Sequence, residues 1–409
     1  MFPLSTPFHS YALKTTACVV AAIAALGSQH LKAEPVPSGA TTVAYVYVAY
    51  TPGGATTNKI TAFRAAANGT LSAVPGSPFV ANVSSMAVNG KYLFGSNLLG
   101  RYVASFRIQS NGALHWVNST DVQAPDPTGC VYPSNITLDH SGATLYRVQY
   151  SGGLCEDTHY QSFTVDPGSG MLHFIGKSAD HFLFNSPLSF VGNNHFAYGS
   201  ECLNYKGNPL DTFTGYVREP GGLLNMASVS APDPATSDPS HFYCRAWTAA
   251  DPTNHIAATF TDTDFNNPFS SPPTQLGVYT QDPSGNLTTT STASNMPSTD
   301  VGYVFGLSMS RDGRLLAVGG SGGLQVFHFN GASPVTHYTG LLTTDSIVRT
   351  YWDHNNHLFA ISKDAGKLYV FTVTGTSVTP APGSPHLLSS PVDLIVDPLT
   401  DSDGDWDHD

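Results

Sequence analysis

Apolar and polar residues alternate in short runs along most of the chain, the period-two pattern of half-buried strands, and no stretch sustains the 3.6-residue period of an amphipathic helix. The most regular runs end in an aromatic: Ile60-Thr-Ala-Phe63, Val103-Ala-Ser-Phe106, Tyr160-Gln-Ser-Phe163, Phe213-Thr-Gly-Tyr216, Leu276-Gly-Val-Tyr279, Leu324-Gln-Val-Phe327 and Leu368-Tyr-Val-Phe371. In the first five a Gly-x-Leu follows six or seven residues later, at Gly69, Gly112, Gly170, Gly222 and Gly285. Each such unit predicts a hairpin, with Gly supplying the positive φ of the turn and Leu returning to the apolar layer of the aromatic. The last two copies turn near Gly331 and Gly375.

A second kind of hairpin, apolar strand, polar turn, apolar strand, precedes the later copies. It spans Met86 to Phe94, Ile136 to Val148, Leu188 to Tyr198, Ala246 to Thr259, Leu307 to Val318 and Thr350 to Ile361. Two hairpins make a four-stranded unit, and the aromatics recur every 43 to 63 residues, the spacing of propeller blades with insertions. The prediction is an all-β, seven-bladed β-propeller with four-stranded blades over residues 43–399. The first copy has only Val43-Ala-Tyr-Val-Tyr-Val-Ala-Tyr50 ahead of it, while Pro391-Val-Asp-Leu-Ile-Val-Asp-Pro398 stands alone at the other end. Pairing strand 391–398 with strand 43–50 closes the ring and removes the exposed edges of an open array.

Asn58-Lys-Ile-Thr-Ala-Phe-Arg64 followed by Asn68-Gly-Thr-Leu-Ser-Ala-Val-Pro-Gly-Ser-Pro-Phe79, the related Thr379-Pro-Ala-Pro-Gly-Ser-Pro-His386, and the turn Ser310-Arg-Asp-Gly-Arg-Leu-Leu316 carry a resemblance. The chain resembles the lactonase-type seven-bladed propellers, the group around 6-phosphogluconolactonase and carboxymuconate cyclase, over residues 43–399. The resemblance implies lactone and carboxylate chemistry handled by His, Arg and Glu groups at the central opening.

Composition narrows the setting. Charged residues make up only 11% of the 409, and the formal charge of −12 leaves 17 Lys plus Arg without a basic stripe, which excludes nucleic acid as a partner. Lys14 precedes an apolar run from Ala17 to Leu26, followed by small residues at Gly27, Ser28 and Ala33. That is the pattern of a signal peptide over 1–33, too short in its apolar part for a spanning helix of about 20 residues. The expected product is secreted or periplasmic, monomeric and without a membrane span once the leader is removed. Removal takes Cys18 and leaves Cys130, Cys155, Cys202 and Cys244, an even set that predicts two disulfides. Three connectivities are open; Cys130 with Cys155 and Cys202 with Cys244 is the most economical.

The repeat map places all four cysteines on one rim of the propeller, the rim where loops enter the innermost strands and where ligands tend to sit. The same rim is expected to carry Tyr132, Glu201, His241, Arg245, Asp345 and Arg349. Arg245 and Arg349 suit a carboxylate or phosphate through forked hydrogen bonds, with Tyr132 and Asp345 as binding residues; His241 or Glu201 suits the general base for water attack on a lactone. In the tail, residues 400–409, the run of carboxylates reads first as a solvated acidic end, with Asp401, Asp403, Asp405 and Asp409 offering clustered oxygens for calcium as the alternative. No other cofactor is indicated. Sequons stand at Asn118 and Asn135. The functional expectation is a propeller that binds a small molecule or an extracellular or envelope partner at one rim; the alternative is a lactone hydrolase acting on a sugar lactone or a carboxylate-bearing lactone.

Overall fold

A computed structural model of the chain describes residues 41–97, 100–123, 135–151, 157–179, 188–200, 213–236, 238, 240–264 and 273–399, all within the compact unit Glu34–Asp409. The segment 1–33 expected to be a leader, the acidic tail, Cys130, Tyr132, Cys155, Glu201 and Cys202 lie outside these residues. No helix occurs among those described. Seven antiparallel sheets form the blades of a ring. The first blade runs, from the centre outward, Pro391–Pro398, Thr42–Tyr50, Lys59–Ala66 and Leu71–Ala73. The expected closure is present: Val46 lies opposite Val396 and Val48 opposite Leu394 across the ladder joining the chain's two ends.

Five blades have four strands, and the first and seventh carry a short fifth. The extra strands, Phe79–Val80 and His386–Leu387, follow the two Gly-Ser-Pro motifs and pair with Lys59–Ala66 and Lys367–Val373. Within each motif the serine hydroxyl accepts a strand N–H: Ala62 N to Ser77 Oγ at 2.9 Å, and Val370 N to Ser384 Oγ at 2.9 Å. Ser178, Ser291 and Thr339 do the same for Tyr160, Val278 and Val326 in the third, fifth and sixth blades. Each hydroxyl satisfies a buried donor where the outer strand stops short.

Strand alternation dictates how the blades pack. Because successive side chains point to opposite faces, every middle strand serves two neighbours, and the described core divides into seven apolar clusters, one per blade junction. The repeated aromatic always faces the preceding blade. Phe106 packs with Tyr47 and Ile60 of the first blade, Phe163 with Phe94 and Val103 of the second, and Phe63 with Ile361 and Leu368 of the seventh. Full burial of such a ring stabilises by about 1.5 to 3 kcal/mol.

The Gly-x-Leu turns lock the same junctions. Tyrosines on the second strands donate across to the next blade's turn: Tyr47 to Gly112 O (2.9 Å), Tyr146 to Gly222 O (2.7 Å) and Tyr198 to Gly285 O (2.7 Å). Gly285 has φ +87°, and a Cβ there would stand 2.4 Å from the Phe196 ring. Gly285→Ala combines left-handed strain with overpacking and is expected to cost roughly 2 kcal/mol or more. Gly221, where a Cβ would meet nothing within 4 Å, is the control: Gly221→Ala changes stability by less than about 0.5 kcal/mol. Chemical denaturation of the two variants checks both values.

Candidate functional site at one end of the channel

Polar side chains, most of them on the innermost strands, tie neighbouring blades together around the ring. Asp393 Oδ2 accepts Met86 N–H at 2.6 Å between the first and second blades, and Ser85 Oγ accepts Ile136 N–H at 3.2 Å between the second and third. Ser189 and Thr248 share a hydrogen bond of 2.7 Å between the fourth and fifth, Trp247 donates to Val304 O at 2.8 Å between the fifth and sixth, and Ser308 and Thr350 meet at 2.8 Å between the sixth and seventh. Between the third and fourth blades Arg218 Nε donates to buried Asp139 at 2.8 Å.

Arg349 closes the remaining junction. It opens the innermost strand Arg349–Trp352 of the seventh blade. Its Nε donates to Asp393 Oδ1 of the first blade at 2.9 Å, and its Nη2 to Asn135 Oδ1, at the entry to the third blade, at 3.0 Å. With Met86 N–H on the other carboxylate oxygen, four blades meet at one guanidinium–carboxylate pair. Burial raises the Asp393 carboxyl above its usual range, and the Arg349 charge and hydrogen bond pull the other way. The Arg349 side chain keeps 29% of its exposure, and its Nη1 has no partner among the described residues.

The other expected residues are held by partners of their own. Arg245 is fully buried: it pairs with Asp233 at 2.9 Å, donates to Tyr279 Oη at 3.1 Å and lies 4.7 Å over the Phe213 ring. The pair anchors the 231–240 insertion against the fourth and fifth blades. His241, on the same strand, holds Asp262 through Nδ1 at 2.9 Å. Asp345 accepts from Lys367 Nζ at 2.7 Å and from the Tyr369 hydroxyl, contacts that hold its carboxyl below the usual range. Cys244 lies on His241–Ala250.

Asp393 and Asn135 are site residues that the sequence reading passed over. Asp393 had a signal, a carboxylate inside an otherwise apolar strand. Asn135 was read as a sequon alone. No group of three or more His, Cys, Asp or Glu side chains among the described residues is placed to hold a metal ion. A polar depression at the opposite end of the ring lies between the turns at Ser141, Asn193 and Thr253.

No family model matches the chain, and no curated protein matches it in sequence. Solved structures do match in shape. The periplasmic gluconolactonase of Pseudomonas aeruginosa superposes with a TM-score of 0.60 at 14% identity, over 87% of this chain and 99% of that one. A candidate 6-phosphogluconolactonase from Bacteroides uniformis gives 0.60 at 13%, over 87% and 100%. A functionally unknown protein from Desulfotomaculum acetoxidans gives 0.55 at 14%, over 85% and 99%. The fold is the seven-bladed propeller architecture of these structures. At such identities the likeness is one of architecture, and any activity rests on the site itself.

Burial separates two of these ion pairs experimentally. Arg245→Ala in this propeller leaves Asp233 without its cation and removes the stacked guanidinium, for a loss of about 3 kcal/mol, reduced somewhat by the 29% exposure of Asp233. Lys367→Met, at a pair whose side chains are 31% and 28% exposed, changes stability by less than about 1 kcal/mol. Thermal denaturation of the two variants distinguishes the buried pair from the surface one.

Proposed function

We propose that the chain is an exported propeller that binds a small carboxylate-bearing ligand at the channel end where Arg349 stands. The Arg349 guanidinium carries this reading. Asp393 and Asn135 fix it through Nε and Nη2, while the Nη1 end stays uncommitted and the side chain is 29% exposed. A guanidinium already held in place loses little rotamer freedom on meeting a carboxylate, and its planar fork matches the two oxygens. Export is supported by the apolar run from Ala17 to Leu26 after Lys14 and by the even set of cysteines, which we assign to two disulfides; the bonded state of Cys244 supports the assignment.

A second reading, lactone hydrolysis, is favoured by the shared architecture with the Pseudomonas aeruginosa gluconolactonase. Water would attack the lactone carbonyl as a general base takes its proton, Arg349 would stabilise the oxyanion, and the ring C–O bond would break, with the alkoxide taking up the proton to leave a hydroxy acid. His241, oriented by Asp262 through Nδ1, leaves Nε2 for the base, and Glu201 is the other choice.

Calorimetric titration with aldonates and kinetic assay with the matching lactones test both. Wild type binds a carboxylate of the series, and Arg349→Lys, which keeps the charge and loses the fork, weakens it by about tenfold or more. Unchanged affinity in Arg349→Lys overturns the binding site. Binding without turnover on any lactone removes hydrolysis and leaves the binding reading standing.

A further inference from the structure

The strand that closes the ring carries two buried carboxyl groups, Asp393 and Asp397, 4% and 3% exposed. Asp393 reaches away from its own blade to the Met86 N–H of the second, and Asp397 lies where the Gly90 N–H, in the turn of the second blade's first hairpin, acts on it. Asp393 faces the Arg349 cation. Asp397 has no comparable partner. The groups around it are Tyr45, its register partner on the adjacent strand, Tyr47 beside that, Tyr351 from the seventh blade, and the Gly90 N–H. The Tyr45 and Tyr47 hydroxyls donate elsewhere, to Ser110 O and Gly112 O. Arg64 acts on Tyr45, and no cation among the described residues acts on Asp397.

We propose that the ring's seam is a proton-operated latch: with Asp397 neutral the last strand sits firmly in the first blade, against the second, and loss of its proton leaves an uncompensated buried charge that loosens the closure. One backbone N–H is too little to stabilise a carboxylate removed from water. Burial accordingly raises this carboxyl to about 7.

The sign follows from proton linkage. Between the ordinary carboxylate range near 4 and a folded value of about 7, the folded chain holds a proton that the unfolded chain has released. Closure is therefore strongest on the acid side, weakens as pH rises through this window and levels off above it. A chain exported to an acidifying environment would gain firmness there and lose it as the pH returns to neutral.

Hydrogen exchange of the full chain at pH 5 and pH 8, corrected for the intrinsic rate, reads the latch directly. Strands 42–50 and 391–398 are expected to lose protection by roughly tenfold or more at the higher pH, the equivalent of one pKa unit or above. The sixth-blade strands 315–320 and 323–330 should hold theirs. In Asp397→Asn the difference disappears. Equal protection of the seam at the two values, a loss shared evenly by all blades, or an Asn variant that keeps the wild-type difference each overturns the proposal. Should the Asn variant not fold, carboxyl-carbon NMR of the wild type decides: a midpoint of about 7 for Asp397 sustains the latch, and one near the ordinary value overturns it.

Discussion

The antiparallel ladder between Thr42–Tyr50 and Pro391–Pro398 is the constraint on which the rest of the molecule depends. Six blade junctions can form along the chain between consecutive sheets, but the seventh needs the two ends together. Loop closure grows only with the logarithm of length, so bringing these ends together costs roughly 2 kcal/mol more than closing a loop the size of one blade. Against that stand Val46, Val48, Leu394 and Val396, all buried in one cluster with the seventh blade, each contributing about 1.5 to 3 kcal/mol. The long-range pairing is affordable because one strand buries residues toward two blades at once.

Closure also explains where polarity is allowed. The middle strands of most blades lie between two neighbours and are largely apolar, as in Leu315–Gly320 and His357–Ser362, whose residues are all buried; the third blade departs from this, with Arg147, Gln149, His159 and Gln161 buried in its middle strands. The innermost strands meet only along their edges, so their hydroxyls, carboxylates and the Arg349 guanidinium can hydrogen-bond from blade to blade instead of packing. Around the axis these contacts carry cohesion, and one of them also carries the proposed site. Arg349 shows the overlap: by bridging Asp393 and Asn135 it contributes to the ring while its fixed guanidinium is the feature on which the proposed ligand site rests.

Much of this architecture was legible because it repeats. A period-two pattern ending in an aromatic reports a strand with two buried faces, and the aromatic's place reflects a fixed neighbour, the preceding blade. The Gly-x-Leu spacing was equally legible, since a turn that must accept a side chain from the preceding blade, an aromatic ring at Gly112, Gly170 and Gly285, tolerates no Cβ. The fifth strands of the first and seventh blades were harder to see. The Gly-Ser-Pro motifs that produce them were noticed, but two-residue strands such as Phe79–Val80 are too short to show periodicity.

Side-chain partnerships were legible only in part, for a physical reason. Position along a repeat says which rim a residue occupies but not which face it takes, and the two faces differ completely in exposure. Arg245 and Arg349 stand at similar places in the fifth and seventh blades. One is fully buried against Phe213, Tyr279 and Asp233, while the other keeps part of its surface at the channel end. The partner decides the difference: Asp233 comes from an insertion that the repeat does not describe, and Asn135 from a blade that neither adjoins the seventh nor shares its junctions. Contacts made across the axis or through insertions have no period, so a sequence that announces its fold by repetition leaves its site to be found from geometry.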